Sequence, residues 1–235
     1  MKQHISFSAT PSDSSVQGSS EGRTIKRRTI QEWLNGLTAR KILLGFALFL
    51  CIALGLNWGL PLLQPHIFHG TVLQPTATVQ DFRLDTTLGK PMQLSDFRGK
   101  YVLLYFGYTF CPDVCPLTLS ELQTTVTELG QRADDQQVIF ISVDPARDTV
   151  EQLASYLPHF NSSFIGMTGT EEGILQAATQ FGIFYDIGEA TNGGYYTVDH
   201  TSTVVVIDPE GYARLVFPYG VTGKEMAEDL RYLMR

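Results

Sequence analysis

Between Ile42 and Leu63 the chain reads ILLGFALFLCIALGLNWGLPLL, 22 residues without a charge. About 18 such residues suffice to cross a hydrocarbon core as a helix, so this run separates a leader from everything that follows. In residues 1–41 seven Lys/Arg stand against three acids, giving the leader +4 and leaving −11 to the rest of a chain whose total is −7. Basic residues stay on the side from which a segment inserts. The reading is a single-pass protein with a cytoplasmic N-terminus and an acidic domain facing the periplasm, or the intermembrane space if the membrane is the mitochondrial inner one. A cleaved signal peptide is the competing reading. Its charged region is short and its apolar core spans only about 7 to 15 residues, whereas here the leader has 41 residues and only a weak PTATV follows.

Residues 6–22, SFSATPSDSSVQGSSEG, are too polar to offset the entropy of ordering. Residues 1–41 are therefore read as a disordered basic tail, 42–63 as the transmembrane anchor, 64–78 as a linker and 79–235 as the folded domain. An acidic domain lacks the basic patches that nucleic acid demands, so nucleic acid is excluded as a partner.

Within the domain, YVLLYFGY (101–108) and QVIFISV (137–143) are short apolar runs rich in β-branched and aromatic residues, as in strands covered on both faces. Leu119, Leu122, Val126 and Leu129 recur between them at helical spacing, completing a strand–helix–strand unit with a right-handed crossover. Helical patterns at Val150–Leu157 and Ile174–Phe181 then form a second crossover into STVVVID (202–208). DPEG turns the chain into an antiparallel neighbour, YARLVF, and a last amphipathic helix carries Met226, Leu230 and Leu233. The expected fold is α/β and thioredoxin-like, a central mixed sheet flanked by helices.

The chemistry concentrates in FGYTFCPDVCPLTLSEL, at the carboxyl end of the first strand, where open α/β sheets place their sites. Cys111 and Cys115 sit at a helix start, whose backbone N–H groups favour thiolate. Four positions apart on the first turn, they suit either a disulfide or a shared metal ion. Cys51 lies in the apolar run and packs there. Of the histidines, His4 falls in the tail, His159 in a surface loop, and His66 and His69 just beyond the anchor, where interfacial polarity explains them. His200, in YYTVDHTSTVVVID, enters a central strand on the side where the cysteine loop lies. A His beside an Asp at a strand start is more often capped or solvated, and that alternative stays open. Two thiolates and an imidazole suit Cu(I), whereas structural zinc asks for four ligands and no second cysteine pair exists. Cu(II) asks for further N or O donors, of which Asp144 is the nearest candidate, and its plain alternative is to start the DPARD turn.

FGYTFCPDVCP, SVDPARDT, GMTGT and VDHTSTVVVIDPEG, in this order, resemble the Sco/SenC family of membrane-anchored thioredoxin-like proteins over about Val79 to Arg235. The resemblance implies a copper metallochaperone, one ion per domain, that matures the dinuclear copper centre of a cytochrome c oxidase. Its partners would be the copper-site subunit of that oxidase and an upstream copper donor. By the same resemblance Cys111 and Cys115 are the thiolate ligands, His200 the imidazole ligand, and Asp144 an acidic group near the site. Many relatives carry a polar residue where this chain has Phe110. Two other functions remain in view: a thiol–disulfide oxidoreductase cycling Cys111 and Cys115 to reduce the oxidase cysteines, and a peroxidase, which would share the fold and attack through Cys111 but for which neither His200 nor the paired spacing calls.

Overall fold

The computed structural model describes residues 30–59, 65–191 and 194–235. The expected disordered stretch 6–22 and the end of the apolar run lie outside them. Two units result, one up to Pro65 and one from His66 to Arg235.

In the first unit, α1 runs Ile30–Gly59, starting within the stretch read as the basic tail. Its span Thr38–Leu56, 19 residues of mean hydropathy 2.0, is long and apolar enough to cross a membrane, at about 1.5 Å per residue. Ile42, Phe46, Phe49 and Leu56 are all exposed on it, and so is Cys51.

In the second unit the first apolar run becomes β4, Tyr101–Gly107, and the second becomes β5, Gln136–Ser142, parallel to it. Every residue of β4 from Val102 to Gly107 is buried. Since successive side chains point to opposite faces, both faces of the sheet are covered here. Joining the two is α2, Val114–Leu129, with Leu119, Leu122 and Leu129 buried as their spacing predicts.

The next segments depart from the sequence reading. After α3, Val150–Tyr156, the crossover returns into β6, Ile165–Thr168, parallel to β5, and only then comes α4, Glu171–Thr179. The strand read from STVVVID is β9, Val204–Ile207, and it pairs with β4 antiparallel rather than completing a second parallel crossover. β6 is hard to see in sequence because it is four residues long and contains Gly166. That glycine is required: a Cβ there would meet Leu153, Leu157 and Thr87 atoms at 2.9 Å, so its absence lets α3 lie close on the strand.

Around this centre, β10, Ala213–Phe217, pairs antiparallel with β9 as expected from the DPEG turn. β1, Thr71–Val72, adds to β10, while β2, Arg83–Thr86, and β3, Met92–Gln93, extend the far side. The order is β1-β10-β9-β4-β5-β6-β2-β3. A separate two-stranded sheet joins β7, Tyr185–Ile187, to β8, Val198–His200. The last helix, α5, Gly223–Leu233, opens with a Thr222/Glu225 capping box, buries Met226 and Leu230, and packs on α2.

The stretch read as a linker is partly built into this unit, through β1 and through two histidines. Asp229 on the buried stripe of α5 is fully buried, and a buried carboxylate needs donors. His69 N–H donates to it at 2.8 Å and Gly70 N–H at 3.1 Å, while the rings of His66 and His69 approach the same carboxylate at 2.9 and 3.1 Å. This pairing, not interfacial polarity, accounts for both histidines. The hydrogen bond to Asp229 raises His69 above its ordinary 6.5, with Glu225 and Glu228 adding to it and desolvation opposing. A raised histidine contributes stability that is complete below its unfolded value and is lost as pH rises through the folded one. The melting temperature of wild type should therefore exceed that of His69→Ala by more at about pH 6 than at about pH 8.5. An equal difference at both would refute the coupling.

Candidate metal centre

β4 ends at Gly107, and the chain turns through Tyr108–Asp113 into α2, the Cys111 N–H bonding to the Tyr108 carbonyl at 3.3 Å. Asp113 occupies the N-cap position but its side chain makes no cap bond. Cys111 Sγ serves instead, accepting the Cys115 N–H at 3.4 Å, so an N-terminal backbone donor is spent on sulfur. Cys115, in the first turn, is completely buried, whereas Cys111 is half-buried, and both are free thiols. Cys115 fits only because β4 has no side chain beneath it: a Cβ on Gly107 would lie 2.9 Å from Cys115 Sγ and 2.9 Å from the Phe140 ring.

His200, the last residue of β8, pairs with Tyr185 of β7 and places Nε2 3.3 Å from Cys115 Sγ. Its Nδ1 lies 3.3 Å from the Thr201 carbonyl. Nε2 is thus the ring nitrogen on the sulfur side, and with Nδ1–H donated to Thr201 it is the one that would bond a metal ion. The Tyr108 ring stands edge-on to the imidazole at 5.9 Å. The donor atoms of Cys111, Cys115 and His200 all lie within 4.8 Å of one another, the one such group among the described residues. Cys111 and His200 border a cavity of about 270 Å³ that also has Pro112, Asp113 and Ser202 in its wall, with Cys115 buried behind them. Two sulfurs and one imidazole nitrogen, with no fourth donor in the group, fit a soft ion of low coordination number and not structural zinc.

The family model of SCO1/SenC matches residues 71–235. The chain belongs to that family. It is 34% identical over 153 residues to the mitochondrial SCO2 homolog of Mus musculus, an alignment covering 64% of this chain and 60% of the mouse protein. It thus spans less than two thirds of that relative. Among solved structures, Bradyrhizobium japonicum ScoI with copper bound is 35% identical with a TM-score of 0.61, covering 66% of this chain and 99% of that one. Apo Sco1 from Thermus thermophilus is 40% identical with a TM-score of 0.64, covering 72% and 98%. The mixed sheet flanked by helices is the Sco thioredoxin-like fold.

In this Sco domain Asp144 stands apart from the three converging donors. It is fully buried, accepts the Tyr196 hydroxyl at 2.8 Å, pairs with Arg147, and its carbonyl takes the Asp148 N–H at 2.9 Å. The turn-forming role of DPARD is thus present, and Asp144 is not part of the converging donor group. Sequence reading passed over Asp148, which is equally buried and accepts Thr109 N–H at 2.8 Å, Thr109 Oγ1–H at 2.6 Å and Ser142 Oγ–H at 2.6 Å. It thereby ties the cysteine loop to the end of β5. The signal was available, as a second Asp following a strand that should be central. It also passed over Arg147 and Tyr196. Phe110 is exposed and lies over Arg147. His159 bonds the Tyr156 carbonyl and is exposed, as expected, and His4 is outside the described residues.

The two thiols are unequal. Hydrogen bonding from Cys115 lowers Cys111 to about 5, with the Asp113 and Cys115 backbone N–H groups and His200 acting the same way and desolvation opposing. The same bond and its own burial push Cys115 up. The pair therefore rests as an accessible thiolate and a buried thiol. Alkylation of Cys111 in the copper-free protein should accelerate through a midpoint near pH 5. Cys115→Ala should move that midpoint up toward the ordinary thiol range, about 8.5. A midpoint left in place would show that Cys115 is not the cause.

Proposed function

We propose that this chain is a copper-binding metallochaperone that delivers copper to, or prepares the copper site of, a cytochrome c oxidase. Copper is its cargo. The observation that carries the reading is the convergence of Cys111, Cys115 and His200 within 4.8 Å beside a surface cavity. Copper bound to the similar Bradyrhizobium ScoI supports it, as does family membership, whose resemblance implies the oxidase as recipient. Cys111, already a thiolate, would receive the ion first. Cys115 would lose its proton on binding, and His200 Nε2 would supply the third bond. Exposure of Cys111 keeps the ion within reach of a partner's ligands, so transfer proceeds by exchange at an open site. The apolar helix would hold the domain at a membrane, its basic N-terminal side in the cytoplasm.

A second reading uses the same thiols. Cys111 thiolate attacks a disulfide of the oxidase subunit, and Cys115 then displaces the mixed disulfide. The partner leaves as dithiol and Cys111–Cys115 as disulfide, two electrons having moved. The unequal thiols favour it, and it coexists with copper binding, since only the reduced pair binds metal.

Anaerobic titration of the full chain in detergent separates the two. Wild type should take up one copper, and Cys111→Ser/Cys115→Ser none. His200→Ala should weaken Cu(II) retention by roughly tenfold or more while changing Cu(I) far less, because thiolates hold the softer ion. Equal uptake by the double variant would sink the chaperone reading. Failure of the reduced protein to reduce an oxidase-subunit disulfide, with copper chelated away, would sink the second.

A further inference from the structure

One side chain touches both segments that carry the converging donors. The Arg147 guanidinium carbon lies 3.5 Å from the Tyr196 ring centroid and 4.9 Å from that of Phe110. Phe110 immediately precedes Cys111, and Tyr196 lies just ahead of β8, which ends at His200. Tyr196 is held in three ways. Its ring stacks on Arg147, its carbonyl accepts from Arg147 Nη1 at 3.0 Å, and its hydroxyl donates to Asp144 at 2.8 Å. Asp144 pairs in turn with Arg147 Nε, closing a ring of contacts. A guanidinium between aromatic faces and a desolvated carboxylate is strongly oriented.

The hairpin needs such a hold. β7 and β8 form a two-stranded sheet outside the eight-stranded one, and a lone two-stranded pair is marginal in water. The cysteine side is fixed separately, through Thr109 on buried Asp148. Whatever seats the hairpin therefore decides where the imidazole lies relative to the sulfurs. We propose that Arg147 and Tyr196 are positioning residues for His200: the Phe110–Arg147–Tyr196 stack, pinned on Asp144, latches the β7–β8 hairpin to the cysteine loop and so sets the reach of the third donor. The consequence for metal binding rests on the copper reading, whereas the latch itself rests on the hairpin contacts alone.

The test uses the full chain in detergent, with Tyr196→Phe, which keeps the stacked ring but loses the hydroxyl, and Arg147→Lys, which keeps the charge but loses the planar stack. In the copper-free protein, backbone amides of Val198–His200 should exchange roughly tenfold faster in either variant, with β4 and β5 unchanged, because a local restraint and not the core has been removed. With Cu(II) alone as probe, both variants should shift the paramagnetic resonance spectrum toward that of His200→Ala and lower Cu(II) retention by roughly tenfold, while Cu(I) retention stays within about threefold. Wild-type exchange and a wild-type spectrum in both variants, with His200→Ala altered, would overturn the latch and leave the copper reading standing. Faster hairpin exchange with no spectral change, in these variants or in His200→Ala, would overturn the ligand role of His200 and with it the positioning role.

Discussion

The closeness with which β4 runs beneath the first turn of α2 governs the candidate site. Cys115 is completely buried there, and the space for its sulfur exists because Gly107 contributes no Cβ. That contact places one sulfur at the base of the site, and the helix start then turns Cys111 toward it as acceptor for the Cys115 N–H. The difference in acidity between the thiols follows from this packing: one sulfur is held away from water and keeps its proton, while the other collects the donors. A bulkier residue at Gly107 would displace the buried sulfur and both of the relationships that depend on it.

The turn after β5 plays the complementary part. Asp144 and Asp148 lie in one turn and face different segments, Asp148 holding the cysteine loop and Asp144 holding Tyr196 near His200. The residues that approach one another at the site come from segments about 85 positions apart in sequence. A single short turn braces both, so its two carboxylates do more for the site's geometry than proximity to the sulfurs would suggest.

How much of this is legible beforehand depends on the range of the interaction. β4, β5, α2 and α5 are long or strongly periodic, and their burial follows from local pattern alone. The Cys111/Cys115 pair is also local, since four positions on a helix start bring two side chains together. His200 was harder: its chemistry pointed to the site, but its position depends on a hairpin between Tyr185–Ile187 and Val198–His200 that no periodicity announces. β6 was hidden for a different reason, because the glycine that lets α3 approach also removes the β-forming signal. His66 and His69 read as interfacial because their partner, Asp229, lies at the other end of the sequence.

The sheet's margins carry a consequence of their own. Its two outermost strands, Thr71–Val72 and Met92–Gln93, are two residues each. A long open margin invites a neighbouring chain to add a strand. Molecules tethered by a membrane helix share a plane and meet far more often than the same number in solution, so an inviting margin there would nucleate polymers. Ending the sheet in stubs leaves almost no template for such addition, however closely copies of the chain are brought together.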